Sequence, residues 1–423
     1  MKIRPVISLL LVLALLLSLS GCVSGSGGTL EGGTSITPEK ATKADRAAMA
    51  ESVNRFGWKL YKESAGEDNL FYSPLSLEAA LAMCIPAARG DTRNELKEVL
   101  ELPDYASFAR AMAWLRGAYS EPEEEAAGKL TVANSLWLEK TLELAENAGS
   151  EVADPLKAYF GADIKTADFK QNAEAVQKDI AEWVKEHTNG MIPDYKSISN
   201  QMTRADLINA IYFYGEWALP FEAEDTREQS FYGTGGETTV DMMSQGNVFL
   251  PYLETDSGLR VLGFPYVRNG FEMDLIIGEP GEDIAAAVKK ENLPELLAAL
   301  DGQEDTRIET LQMPKFTMDI TYPELAEALK GVGMKRAFSD AADFSNLAKN
   351  LMISDVNHRA KLEVDELGSK AAAVTEVVMV EGAMILPEEP APEFIVDRPF
   401  FFVIRECDTG MILFAGHVNN LKK

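Results

Sequence analysis

The stretch DLINAIYFYGEW, Asp206 to Trp217, is apolar almost without interruption. A half-buried strand alternates polar and apolar residues, and an exposed helix needs a polar face. An unbroken apolar run bounded by polar residues fits a strand covered on both faces, in the middle of a large sheet. Upstream, KLTVANSLWL (Lys129–Leu138) alternates as a half-buried strand. Downstream come VLGFPY (Val261–Tyr266), FEMDLIIGE (Phe271–Glu279) and TLQMPKFTMDI (Thr310–Ile320). The closing pair FFVIREC (Phe401–Cys407) and MILFAGHV (Met411–Val418) is joined by Asp408-Thr409-Gly410, a hairpin turn.

Helices occupy much of the first half. Met49, Val53, Phe56 and Leu60 recur at helical spacing and stop near Gly66. A second helix starts after Ser73-Pro74 and runs through LSLEAALAMC (Leu75–Cys84). Thr92 to Glu95 reads as a capping box opening NELKEVL (Asn94–Leu100). Val176, Ile180 and Val184 form a further stripe, ended by Asn189-Gly190. Helices therefore flank a mostly antiparallel sheet system, an α+β fold rather than a βαβ repeat.

The chain start is written differently. Lys2 and Arg4 precede an apolar run from Val6 to Leu17, and Leu19-Ser20-Gly21-Cys22 follows. This is the pattern of a signal peptide over 1–21, not of a spanning helix. Leu-Ser-Gly-Cys resembles a prokaryotic lipobox, which implies a lipid on Cys22. The Gly-, Ser- and Thr-rich residues after it behave as a flexible spacer, so 22–43 is read as a lipidated linker and 44–423 as one large domain. The expected location is outside the cytoplasm, tethered to the membrane through Cys22.

Acidic residues outnumber basic ones 67 to 40, giving a net charge of −27. That field repels polyanions, so nucleic acid and heparin are not expected partners, and the only membrane contact expected is the lipid. Cys84 and Cys407 are not expected to pair, and no cysteine or histidine cluster suggests a metal. The motifs of nucleophile elbow, phosphate loop, dinucleotide fold and zinc protease are absent. His187, His358 and His417 are the three histidines, and each reads as structural. No catalytic residue and no cofactor is expected.

One stretch looks like both loop and strand: VDELGSKAAAVTEVVMVEGAMILPEEP, Val364 to Pro390. In a strand, alternate residues share a face. Ser369, Ala371, Ala373, Thr375, Val377 and Met379 would form an uncharged face, small near its start. Lys370 and Glu376 would both fall on the opposite face. Such a segment can enter a core without burying a charge. Glu381 would interrupt the pattern and end the strand.

These stretches together resemble the serpin family. The resemblance rests on NLFYSPLSLEAALAM (Asn69–Met83) with ARGDT (Ala88–Thr92), and on LINAIYFYGEWALPFE (Leu207–Glu222). VDMM, FPY, MPKF, LKGVGMKRAFSDAADFS, ISDVNHRAKLEVDE, VDRPFFFVIR and ILFAGHVNN follow in serpin order. It covers about Ala48 to Asn420. It implies helices packed around three sheets, with a large central sheet and an exposed reactive-centre loop. It implies a "shutter" of Ser73, Ser76, Asn209 and His358 beneath that sheet, and a "breach" at Trp217 where the loop enters.

Glu366, Gly368, Ser369, Ala371, Ala372, Ala373 and Thr375 match the hinge of inhibitory serpins, while Leu367 and Val374 depart from it. By this resemblance the chain is a suicide substrate rather than an enzyme. Its partner is a serine protease, with papain-like cysteine proteases as a further class, and it acts as a monomer. The runner-up is a non-inhibitory, chaperone-like or binding surface lipoprotein of the same fold. Counting from Glu366 puts the reactive bond at Gly382-Ala383, with Glu381 and Met384 as alternatives. Small and apolar residues there suit elastase-, subtilisin- or chymotrypsin-like enzymes.

Overall fold

The computed structural model describes residues 29–30, 33, 35–64, 66, 68–102, 104–119, 129–188, 190–267, 270–322, 324–353, 356, 358–369 and 390–422. The signal peptide, Cys22 and residues 370–389 lie outside them. The helices are α1 (Lys43–Ser64), α2 (Pro74–Ala82), α3 (Cys84–Ala87), α4 (Gly90–Val99), α5 (Tyr105–Tyr119), α6 (Phe169–His187), α7 (Ile284–Lys290), α8 (Leu293–Asp301) and α9 (Leu325–Gly331). The strands are β1 (Leu70–Tyr72), β2 (Lys129–Glu139), β3 (Asp163–Ala167), β4 (Ala205–Glu216), β5 (Arg227–Gly233), β6 (Gly236–Glu254), β7 (Arg260–Pro265) and β8 (Phe271–Ile277), then β9 (Asp305–Pro314), β10 (Phe316–Thr321), β11 (Arg359–Asp365), β12 (Gly368–Ser369), β13 (Glu393–Ile395), β14 (Phe400–Glu406) and β15 (Met411–Val418).

Among the described residues a six-stranded sheet runs β10-β11-β12-β4-β2-β3. A nine-stranded system runs β1-β15-β14-β8-β7-β6-β9-β13, with β5 on β6. The long β6 is shared: its first part pairs with β5 and β9, and Tyr252–Glu254 pair with β7. Two lobes and the six-stranded sheet thus make the three sheet units the resemblance implies. Pairing is antiparallel except β2 with β3 and β9 with β13.

The six-stranded sheet is covered on both sides. Val176, Ile180, Trp183 and Val184 of α6 pack on Ala133, Trp137, Ile208 and Ala210. The opposite face joins the main core with α2, through residues such as Leu77, Leu136, Ile211 and Phe213. Because α6 lies over β2, that strand is buried on both faces from Val132 to Glu139, not half-buried as its alternation suggests. In β4 the reverse holds. Leu207, Asn209, Tyr212 and Tyr214 are only partly buried. The outer edge of β4 pairs with β12 at Glu216 and Gly215, which is one end of the strand.

Three local expectations differ. The run Thr310–Ile320 is two strands, broken at Lys315, that belong to different sheets. The capping box does not form: α4 starts at Gly90, before Thr92. Thr92 and Glu95 are engaged elsewhere. Thr92 Oγ1 accepts from Asp343 N at 2.9 Å, and the Glu95 carboxylate accepts from Arg336 N and Ala337 N at 2.8 and 2.9 Å. Within the expected flexible linker, Leu30 N donates to Ile164 O at 3.1 Å and Thr29 bridges Lys165. This segment therefore lies along the outer edge of β3, where unpaired backbone groups would otherwise be exposed.

Candidate functional site

At one end of β4 the chain makes a compact junction. Glu366 and Leu367 turn after β11, and Gly368 and Ser369 return as β12. Ser369 lies opposite Val364 on one side and Gly215 on the other. Both neighbours run antiparallel to β12, so β4 and β11 are parallel to each other. Only glycine fits at 368. Its φ is +151°, and a Cβ there would lie 2.1 Å from Gly215 O.

Trp217 clamps this turn. Its backbone N donates to Leu367 O at 2.9 Å and its indole Nε1 to Asp365 O at 3.0 Å. Its ring stacks on Tyr266 with centroids 4.4 Å apart. Tyr266 OH lies 2.7 Å from Ser369 Oγ, and both residues are buried. Phe221 N donates to Glu366 O at 2.9 Å. The Glu366 carboxylate meets Lys315 Nζ at 2.8 Å and accepts from Thr226 Oγ1 at 2.9 Å. Burial alone would raise the pKa of Glu366, but hydrogen bonds from Lys315, the backbone and Thr226 outweigh it and hold the carboxyl below its ordinary value.

Beneath the middle of the sheet the four expected polar residues meet. Ser73 caps α2, its Oγ accepting from Ser76 N at 3.1 Å and donating to Leu413 O at 2.5 Å. Ser73 N donates to His358 Nε2 at 3.0 Å. Ser76 Oγ donates to the Asn209 carbonyl oxygen. Asn209 Nδ2 continues to Asn134 Oδ1 at 2.7 Å, and Asn134 Nδ2 to Phe160 O at 3.0 Å. One chain of hydrogen bonds thus joins α2, β4 and β2, and His358 attaches the start of β11 to it. Burial pushes the His358 imidazole down to about 3, so it is neutral, and its acceptor role at Nε2 puts the proton on Nδ1.

The other candidates are placed as follows. His187 stacks on Trp183, and His417 touches Tyr61 OH and Asp68 O. Cys84 and Cys407 are free thiols. Among the described residues no cluster could hold a metal, and no helix is long and apolar enough to cross a membrane. Ala371, Ala372, Ala373, Thr375, Glu381, Gly382, Ala383, Met384 and Cys22 lie outside the described residues. Sequence reasoning missed Asn134, Tyr266 and Lys315. Asn134 carried a signal, a polar residue inside the apolar β2. Tyr266 and Lys315 sit in the quoted motifs FPY and MPKF, yet nothing local to them points to their partners Ser369 and Glu366, far along the chain.

The sequence profile of the family described as Serpin (serine protease inhibitor) matches residues 51–421. An uncharacterized serpin-like protein of Thermococcus kodakarensis is 33% identical over 439 residues, spanning 98% of this chain and 99% of its own. The leukocyte elastase inhibitor of Bos taurus is 34% identical over 367 residues, spanning 83% of this chain and 93% of its own. The crystal structure of the thermophilic serpin tengpin in its native state matches with a TM-score of 0.81 at 27% identity, covering 93% of this chain and all of that one.

Proposed function

The chain belongs to the serpin family, and from that premise we propose that it is a one-use inhibitor that traps a serine protease as an acyl-enzyme. The observation that carries this reading is β12. Gly368 and Ser369 are the start of a strand held between β4 and β11, with the rest of the hinge following directly in sequence.

The protease serine attacks the carbonyl of the reactive bond. The amine leaves as a new N-terminus, and an ester joins the two proteins. The freed segment then continues β12 down the sheet and carries the protease with it. In the register of Gly368 opposite Glu216, Ala371 comes opposite Phe213, Ala373 opposite Ile211 and Thr375 opposite Asn209. Directly opposed residues share a face. Ser369 is buried on that face, so the uncharged face goes inward. At roughly 1 kcal/mol per net backbone hydrogen bond, an insertion of roughly ten residues contributes about 10 kcal/mol. Loss of one oxyanion-hole donor in the dragged protease slows deacylation by about 10²–10³.

The composition of the loop sets the target class. Between Lys370 and Arg398 there is no Arg or Lys, which disfavours trypsin-like enzymes. A cut at Gly382-Ala383 suits elastase-, subtilisin- or chymotrypsin-like proteases, and the similarity to a leukocyte elastase inhibitor supports that choice. The lipobox-like Leu19-Ser20-Gly21-Cys22 supports a lipid tether to the cell membrane, with the domain facing outside the cytoplasm.

Incubation with each protease class followed by a denaturing gel tests the proposal. A covalent complex is expected, with mass spectrometry of the released peptide giving the cut. Clean cleavage by every class without complex contradicts it.

A further inference from the structure

Next to the hydrogen-bonded chain beneath the sheet lies an apolar cavity of about 80 Å³. Leu77, Leu81, Leu136, Leu207, Leu347 and Ile353 are among the residues forming its walls, and Asn209 and His358 supply polar groups. No charged side chain lines it among the described residues. Cys84 is partly buried and Met352 is 44% exposed, so the cavity has a route to solvent. Apolar cavities of this kind hold small apolar molecules rather than water. A charged occupant would be desolvated here without a counter-charge.

We infer that this cavity is a binding site for a compact, uncharged, mainly apolar molecule, of which no more than about one aromatic ring enters the cavity and any remainder lies in its mouth beside Met352. Its occupation opposes completion of the trap, and this second half rests on the inhibitory function proposed above. The link is the register. The β4 residues in the cavity wall are Ala205, Leu207 and Asn209. Continuing β12 brings Met379, Val377 and Thr375 opposite them, on the inward face. Inserted side chains and a bound molecule therefore occupy the same space. A molecule that binds only the uninserted form shifts the equilibrium toward it, and a loop that cannot finish inserting leaves time for the protease to deacylate.

Indole, an uncharged bicycle with one N–H, is a direct probe, with benzoate as its charged counterpart. Ligand-observed NMR on the full chain is expected to show saturable indole binding and no benzoate binding. Ala205→Phe and Cys84→Phe, which fill the cavity from two walls, are each expected to weaken indole at least tenfold, and either suffices should the other not fold. Absence of indole binding to the native chain, or undiminished binding in the folded variants, overturns the site. The loop-cleaved chain is expected to bind at least tenfold more weakly. Full affinity in a cleaved chain whose melting point has risen overturns the competition. A cleaved chain whose melting point has not risen counts against the inhibitory function instead, and binding to the native chain still decides the site.

Discussion

Arg359 on β11 holds Asp194, in the segment that carries the chain from α6 back to β4: Nη2 lies 2.9 Å from the Asp194 carboxylate, and Nη1 donates to Asp194 O at 3.3 Å. The same guanidinium grips Asp319 of β10 with two hydrogen bonds, of 2.7 and 2.8 Å. Arg359 keeps the Asp194 carboxyl below its ordinary value. This contact ties β11 to the segment that leads into β4, the two strands between which β12 would extend. A new strand separates β4 from β11 by about 4.8 Å more, so the contact must break or stretch as the strand enters.

Asp194→Asn is therefore expected to speed loop insertion. The Asp194 side chain is 68% exposed, and exposed pairs are weak, so the gain is modest, about two- to fivefold. Stopped-flow fluorescence of a labelled loop measures it. An unchanged or slower rate shows that the pair does not restrain the sheet.

Ser369→Arg places a charge on the inward face, in the buried site where Ser369 Oγ meets Tyr266 OH. Burying an unpaired charge is prohibitive, so β12 is expelled and insertion stalls. The variant is expected to be cleaved as a substrate, with the yield of covalent complex reduced at least tenfold. Quantitative gels against a fixed amount of protease report the partition.

His358 predicts a pH dependence. Its imidazole titrates at about 3 in the fold, against an ordinary value of 6.5 in the unfolded chain. Between those values the unfolded chain binds a proton that the fold does not, so stability is full above about pH 6.5 and falls as the pH drops toward 3. The slope is up to about 1.4 kcal/mol per pH unit. His417, also lowered by burial, acts in the same direction. Denaturant unfolding of His358→Gln against the parent over this range isolates the His358 share, and the variant is expected to show the shallower slope.

Asn134→Ala removes the acceptor of Asn209 Nδ2 and the donor to Phe160 O. Leaving partners unpaired costs about 1–3 kcal/mol. A lowered denaturation midpoint at unchanged m-value is the expected result. Retained stability implies that water or another group replaces Asn134.

The sequence was most legible where a residue's neighbours are close in the chain or where a motif is long. The existence of a strand at Leu207–Gly215, though not its burial on both faces, the α6 stripe and the hairpin at Asp408–Gly410 were readable from period and turn chemistry. The contacts among Ser73, Ser76, Asn209 and His358 join residues that the serpin resemblance had already grouped. What was not legible depends on distant partners. Alternation in β2 hid its double burial, because α6 covers the second face. Thr92 and Glu95 have the spacing of a capping box but are drawn to the backbone at 336–343. The unbroken run through Lys315 conceals a change of sheet, and the tie between Arg359 and Asp194 joins residues with no shared local pattern.

The central claim is that the segment after Ser369 becomes a strand between β4 and β11 once the loop is cut. Cleaving the loop with a protease that forms no complex, then comparing thermal midpoints of cut and intact chain, tests it directly. An added strand worth about 10 kcal/mol predicts a rise of roughly 10–20 °C. A cut chain that melts at or below the intact one would contradict the account.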